Sequence, residues 1–234
     1  MSEPTKRALI TGASRGIGKH LAEHLLERGY SVAGGSRSAS KLEHDRYVHY
    51  GLDVSDEQAV VRTVRGVHRR LGGIDVLINN AGIASMNHLF TTPAKSAREM
   101  FETNLLGTFL MCREVAKVMQ KGGYGRIVNI VSVAVPMKLA GHAAYAASKA
   151  GVVALTEVLS FELARFGITV NALGPTAVKT DLLHGLSDDR IGRVLRRQAI
   201  PRMTELEEIA EAVDFFVAPN AGHVTGQTVY LGGV

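Results

Sequence analysis

Short apolar runs alternate along this chain with segments whose apolar residues recur at helical spacing, and that alternation is the strongest constraint on its fold. The runs A-L-I-T (8–11), S-V-A-G-G (31–35), Y-V-H-Y (47–50) and V-L-I-N (76–79) read as strands, as do I-V-N-I-V (127–131), I-T-V-N-A-L (168–173) and T-V-Y-L (228–231). Between the first two, Ile17, Leu21 and Leu25 share a helical face that Gly29 terminates. Further helices are expected over 55–71, 97–120, 145–166 and 205–217. Strands that alternate with helices form a parallel sheet covered on both faces, joined by right-handed crossovers. No composition shift, solenoid-period repeat or low-complexity linker divides the 234 residues, so residues 1–234 are expected to form one domain. The stretch 176–203 breaks the rhythm: it follows a strand, is polar and basic, and is expected to act as a lid over a cleft.

Composition removes several function classes. The net charge of +5 is diffuse, with Arg62, Arg65, Arg69 and Arg70 at the spacing of a solvated helix face. Without aromatic residues interleaved among the basic ones, a nucleic-acid surface is not expected, and an anionic small molecule is the simpler target. No apolar run approaches the roughly 20 residues that span a bilayer, so no membrane partner is expected. The opening M-S-E-P-T-K-R is polar and too short for a signal peptide. The lone Cys112 excludes an internal disulfide and points to a reducing, cytoplasmic setting, with the thiol packed as a small hydrophobe. His20 and His24 lie one helical turn apart without a third ligand, beside Lys19, Glu23 and Glu27. They read as a solvent face, and no metal is expected.

The first strand runs into T-G-A-S-R-G-I-G-K (11–19). Gly12, Gly16 and Gly18, with Ser14, Arg15 and Ile17 between them, sit at a strand-to-helix turn. Glycine lets backbone approach a pyrophosphate, and the helix N-terminus offers unpaired N–H groups and a positive dipole end. The second strand ends where NAD sites place a carboxylate for the ribose hydroxyls. Ser36 and Arg37 stand there instead. A carboxylate would repel a 2′-phosphate, whereas a hydroxyl and a guanidinium receive one, with Arg15 as a second cation. NADP(H) is therefore the expected cofactor.

With these motifs the chain resembles the short-chain dehydrogenase/reductase family in its single-domain form. Asp53 and Val54 match the adenine-contacting pair after the third strand, and N-N-A-G (79–82), with Asn80, Ala81 and Gly82, matches the sequence after the fourth. Asn104, Ser132, Tyr145 and Lys149 match the catalytic set. Within the family the likeness is greatest to 3-oxoacyl thioester reductases of fatty acid synthesis. The resemblance implies a doubly wound Rossmann fold with a seven-stranded parallel sheet. It also implies a homo-oligomer, a tetramer or a dimer, built by pairing helices 97–120 and 145–166 across a twofold axis. The Ala, Gly and Ser residues along 143–154 would let such helices approach closely.

The implied reaction is NADPH-dependent reduction of a carbonyl to a secondary alcohol. Tyr145 and Lys149 share a helix face, and a nearby ammonium is expected to lower the phenol's pKa towards neutrality. Lys149 would hold the nicotinamide ribose, and Ser132 would hydrogen-bond the substrate oxygen. Asn104 would hold a water linking Lys149 to solvent, and His142 would line the substrate site. Two rivals remain: a secondary-alcohol, sugar or steroid dehydrogenase, and a dinucleotide-binding regulator without turnover.

The segment N-A-L-G-P-T-A-V-K-T (171–180) keeps Pro175, Val178 and Thr180, which the resemblance assigns to the nicotinamide carboxamide, but puts Thr176 where the family has glycine. Leu231 stands where the family commonly has aspartate before Gly-Gly. Both departures are expected to disturb their surroundings, Thr176 by narrowing the site or shifting its loop. Leu182, Leu183, Leu186, Ile191 and Leu195 suggest an apolar wall in the lid. Arg193, Arg196 and Arg197 are read as a solvated helix face, the alternative being contact with an acidic carrier or a coenzyme A tail.

Overall fold

The computed structural model describes residues 6–178 and 188–234. All seven apolar runs form strands: Arg7–Thr11 (β1), Ser31–Ser36 (β2), Tyr47–Gly51 (β3), Val76–Asn79 (β4), Gly125–Ile130 (β5), Ile168–Gly174 (β6) and Thr228–Tyr230 (β7). They pair in parallel in the order β3-β2-β1-β4-β5-β6-β7. The strand order reverses at β1, which lies between β2 and β4, with Leu9 opposite both Ala33 and Leu77. Loops leaving β1 and β4 diverge there and open a crevice at the carboxyl ends of the strands.

Alternation along each strand feeds two cores. Ala8, Ile10, Ile78, Val128 and Ile130 face one side. Leu9, Leu77 and Ile127 face the other. Helices Gly16–Glu27 (α1) and Leu206–Val217 (α8) cover the first side through Leu21, Leu25, Ile209 and Val213. Glu57–Leu71 (α2) and Gly107–Gly122 (α4) cover the second through Val60, Val64, Met111 and Val115. Asp56 starts α2 by accepting from the N–H groups of Gln58 and Ala59 at 2.9 and 3.2 Å, and Gly72 ends it at φ +77°. Fully burying each leucine of these faces contributes about 2–3 kcal/mol.

Three local features depart from the sequence reading. The helix expected over 97–120 is Ala94–Met100 (α3), a π-helical segment at Phe101–Leu106, and α4. A π segment adds a residue to the turn and re-aims the side chains around it, often at functional sites. The face carrying His20 and His24 is not solvent. His24 Nε2 lies 2.8 Å from Asp214 Oδ2 on α8, Arg28 reaches the same carboxylate at 2.8 Å, and His20 is partly buried. The pattern of charges on α1 could not show that α8 would bring an acid to it. Cys112 is buried, as expected of a packed thiol, and burial pushes it up to about 12.

Ala134–Met137 (α5), Ala143–Ala164 (α6) and Asp188–Leu195 (α7) complete the helices used below. No helix among the described residues is long and apolar enough to cross a membrane.

Candidate active site

The loop after β1 is built to pass close to another group. Gly12 and Gly16 have φ of +70° and +54°, which side chains disfavour. Gly18 is tight for a different reason: a Cβ there would meet the Gly12 carbonyl and lie 2.5 Å from Asn80 Nδ2. Asn80 braces the turn by donating to the Thr11 and Gly12 carbonyls at 3.0 and 3.3 Å, while the Asn80 and Ala81 N–H groups bond the Thr11 hydroxyl at 3.0 and 2.9 Å. Arg15 occupies the N-cap of α1 in an extended conformation, and no side chain caps the helix. The uncapped N–H groups and the helix dipole therefore face the crevice, an arrangement that fits a pyrophosphate.

Two cavities open from this turn. One, of about 220 Å³, is lined by Gly12, Ser14, Arg15, Gly16, Ile17, Ser36, Arg37, Asp53, Val54, Asn80, Ala81 and Gly82. The residues expected from the sequence to hold the pyrophosphate, the 2′-phosphate and the adenine, together with Asn80, Ala81 and Gly82, thus lie at one place, except Gly18, which packs against the Gly12 carbonyl and Asn80. Asp53 accepts from the Ser55 N–H and hydroxyl at 3.0 and 2.7 Å, which lowers its pKa, with Arg37 adding to the effect. The second cavity, of about 650 Å³, shares Ile17, Asn80, Gly82 and Ile83 with the first, so the two form one groove across the strand ends.

The second cavity holds the candidate catalytic residues. Ser132 follows β5, Tyr145 and Lys149 project one turn apart from α6, and all three line the wall. Ser132 accepts from the Ala134 N–H at 3.1 Å, and it acts on the Tyr145 hydroxyl closely enough to affect that group's pKa. Lys149 is buried, and its ammonium donates to the Ile130 carbonyl at 2.8 Å. Burial pushes that lysine down to about 8. The pull of Lys149 on the phenol expected from the sequence is not what prevails. Burial raises the Tyr145 pKa, and the Ser132 hydrogen bond is what opposes it. At neutral pH the phenol is therefore protonated and able to donate.

Asn104 lies on the π segment, fully buried, and does not line the cavity. Its Oδ1 accepts from the Ile83 N–H at 2.8 Å, and its Nδ2 donates to the Ile83 carbonyl and to Ser148 Oγ at 2.9 and 3.0 Å. The side chain thus fastens the loop after β4 to α6. The sequence expectation of a water-holding Asn104 meets a side chain already committed to these bonds. Gly82 is wedged nearby: a Cβ there would lie 3.2 Å from Asn104 Oδ1 and 3.3 Å from Lys149 Nζ.

His142 and Pro175 line the cavity as expected, with the His142 ring centroid 6.5 Å from that of Tyr145. Val178 lines it too, buried and bridged to Thr204. Thr180 lies outside the described residues, as do Leu182, Leu183 and Leu186. Thr176 is accommodated rather than disruptive. Its φ is not positive, so glycine is not required there, and its hydroxyl pairs with that of Thr204 at 2.8 Å. Leu231 packs against the first core, and Gly232 and Gly233 accept from the N–H groups of Ile200 and Ala199 at 3.0 and 2.9 Å. The chain end thereby ties down the segment that follows α7.

The sequence reading missed part of the wall. Ile83, Ala84, Met86 and His88, from the loop after β4, line the cavity with Val133, Leu139 and Val194. The run I-A-S-M after N-N-A-G (79–82) carries the signal, apolar residues in a loop, but no periodicity marks it. Ile191 joins this wall, while Leu195 does not line it. Arg193 and Arg197 are exposed, yet they line the mouth of the cavity instead of only facing solvent, and Arg197 donates to the Met137 carbonyl at 2.7 Å.

The chain is similar to known proteins over nearly its whole length. The short chain dehydrogenase family model matches residues 6–191. The 3-oxoacyl-[acyl-carrier-protein] reductase of Vibrio cholerae is 37% identical over 97% of this chain and 96% of its own. The Escherichia coli reductase of the same name is 36% identical over the same shares. Among solved structures, ElxO with NADP bound superimposes with a TM-score of 0.90 at 29% identity, covering 97% of each chain. The Thermoplasma acidophilum aldohexose dehydrogenase gives 0.89 at 28% identity, covering 98% of this chain and 93% of its own. A glycine turn braced by Asn80 at the sheet's reversal point, with Ser132, Tyr145 and Lys149 in one wall of the groove it opens, is thus accompanied by a family match over most of the sequence, and the chain belongs to the short-chain dehydrogenase family.

Proposed function

We propose that this protein reduces the ketone of a 3-oxoacyl thioester to a secondary alcohol with NADPH. The observation that carries the reading is the placement of Ser132, Tyr145 and Lys149 in the wall of an apolar cavity that continues into the glycine-loop groove. Gly12, Ser14, Gly16, Ile17 and the N-terminus of α1 would hold the pyrophosphate, Ser36, Arg37 and Arg15 the 2′-phosphate, and Asp53 and Val54 the adenine. Gly82, Lys149, Pro175, Val178 and Thr180 would hold the nicotinamide riboside. When bound, the reduced nicotinamide supplies the hydride.

The chain's own groups do the rest. Ser132 donates a hydrogen bond to the substrate oxygen and orients the carbonyl. Tyr145, kept protonated by burial, transfers its phenolic proton to that oxygen as negative charge develops there. Lys149 stands one turn below with its ammonium on the Ile130 carbonyl, and its positive charge stabilises the phenolate left behind. Asn104 is a positioning residue that keeps the loop carrying Gly82 and Ile83 against α6.

The wall supports an acyl substrate. Ile83, Met86, Val133, Leu139, Ile191 and Val194 offer apolar surface, while Arg193 and Arg197 at the mouth suit the phosphate of a pantetheine arm. The similarity to reductases whose names specify acyl-carrier protein supports a carrier-bound substrate. The likeness to an aldohexose dehydrogenase favours a second reading, oxidation of a sugar, but the apolar side chains that make up much of the wall suit an acyl chain better. A regulator without turnover would have no use for the proton-donating trio.

A homo-oligomer paired through α4 and α6 is part of the proposal. Phe101, Leu106, Phe109, Val158 and Phe161 are exposed on the π segment, α4 and α6, with Phe161 86% exposed. Sedimentation or light scattering should show a dimer or tetramer, and a monomer at micromolar concentration would contradict this part. The activity itself is tested by following NADPH absorbance with acetoacetyl-coenzyme A, with NADH in parallel. The reading expects turnover that is much faster with NADPH, and NADPH binding with no turnover of any 3-oxoacyl thioester would refute the substrate class.

A further inference from the structure

A hydrogen-bonded relay of side chains runs behind the adenosine end of the groove. Tyr47 and His49 lie on β3, at the edge of the sheet, with His49 opposite Gly34 of β2 in register. The His49 ring reaches across to the turn that ends β2. Its Nε2 is 3.0 Å from Ser36 Oγ and 3.1 Å from the Ser38 carbonyl, and its Nδ1 is 2.7 Å from the Tyr47 hydroxyl. Ser36 Oγ in turn donates to the Ser38 carbonyl at 2.6 Å.

The donors and acceptors fix the protonation pattern. A carbonyl only accepts, so the single hydroxyl proton of Ser36 is committed to Ser38, and Ser36 Oγ must accept from His49. His49 therefore carries its proton on Nε2, shared between Ser36 Oγ and the Ser38 carbonyl. In that tautomer Nδ1 is an acceptor, and the Tyr47 hydroxyl donates to it. Tyr47 keeps that proton because burial raises its pKa, while a side-chain hydrogen bond with Ser40 opposes the shift. Space for the relay is provided in the sequence: a Cβ on Gly34 would overlap the Tyr47 hydroxyl. Ser36 is only 8% exposed, so its hydroxyl has few other orientations.

Ser36, Arg37 and Ser38 line the groove where a 2′-phosphate would lie, whereas His49 and Tyr47 do not. We propose that His49, oriented by Tyr47, is a positioning residue that sets the preference for NADP(H) over NAD(H) by locking the Ser36–Ser38 turn. With the turn locked from Ser36 to Ser38, the Arg37 backbone between them is fixed and its guanidinium is presented at the groove. Without it, the turn loses the brace on the Ser38 carbonyl and Arg37 leaves a looser loop, so the phosphate loses a preorganised cation while the rest of the dinucleotide loses nothing. The inference rests on NADP(H) being the cofactor.

The test is the ratio of NADPH to NADH affinity, measured by fluorescence titration of the full chain. His49→Leu is expected to lower that ratio about tenfold, the worth of a hydrogen bond to a charged group, with NADH affinity and melting temperature nearly unchanged. His49→Gln, whose side-chain amide can still donate to Ser36, is expected to restore most of the ratio. Tyr47→Phe, a milder change that removes only the hydroxyl, is expected to shift it in the same direction by a few-fold. Equal loss of NADPH and NADH affinity, or an unchanged ratio in both His49→Leu and Tyr47→Phe, would overturn the inference. A wild-type protein that binds both cofactors alike would overturn the cofactor reading, and this inference with it.

Discussion

The two ends of the groove are built on opposite plans. The dinucleotide end is made of backbone held by short-range bracing: Asn80 bonds the Thr11 and Gly12 carbonyls, the Thr11 hydroxyl takes two N–H groups, and His49 holds the turn at Ser36. The substrate end is walled by apolar side chains from loops and from α7, with Ser132, Tyr145 and Lys149 as its fixed polar wall. Backbone that must approach a constant phosphate tolerates almost no change of side chain. An apolar wall admits substitutions of similar volume, and that freedom lets one fold serve both an acyl thioester and an aldohexose.

Changes at the two ends should therefore differ in kind. Gly18→Ala places a Cβ against the Gly12 carbonyl and Asn80 and must displace the turn, at about 1–3 kcal/mol. Dinucleotide affinity is expected to fall by up to roughly a hundredfold, read by titration, with NADPH and NADH affected alike.

Lys149 gives the next largest effect. Its folded pKa of about 8 lies below its unfolded value, so between these values the unfolded chain binds the extra proton and stability rises with pH. The destabilisation is fully present below pH 8. Tyr145, whose folded pKa is raised, works the other way and loses its contribution only as pH rises above its unfolded value of about 10. Replacing Lys149 by Met removes the first effect. The stability advantage of Lys149→Met over wild type is expected to shrink by about 2 kcal/mol between pH 8 and 10 in denaturant titrations. An advantage independent of pH would show that the lysine is not desolvated.

Arg37→Ala is expected to weaken NADPH by about tenfold or more while sparing NADH, since it removes a charge-assisted contact to the 2′-phosphate alone. The smallest effect belongs to the open end. Arg197→Met should raise KM for a coenzyme A thioester a few-fold, leaving kcat and the KM for a short ketone without phosphate unchanged. A larger loss with the phosphate-free ketone would mean that Arg197 supports α5 through Met137 rather than meeting substrate.

The same division explains what could be read from the sequence. All seven strands were legible, because a buried parallel strand is a compact apolar run, and the glycine turn was legible because its chemistry needs glycine. Asp53, Val54, Asn80, Ala81 and Gly82, like Ser132, Tyr145 and Lys149, were picked out by the resemblance to the family, and they line the one groove. The π segment at Phe101–Leu106 was not legible, since an inserted residue inside a helix leaves the apolar pattern intact on either side. His24 was misread because its partner, Asp214, is 190 residues away. Met86 and Ile83 were missed because a loop wall has no period. Thr176 seemed disruptive until Thr204, 28 residues on, supplied its partner.

The central claim is that Tyr145 gives the proton in a carbonyl reduction, and kcat of Tyr145→Phe with acetoacetyl-coenzyme A and saturating NADPH tests it most directly, with NADPH affinity titrated in the same preparation. The account predicts a loss of turnover of about 10²–10⁴-fold with affinity changed by less than about twofold. Turnover within tenfold of wild type at intact NADPH affinity would contradict it and move the proton donor to another group in the cavity.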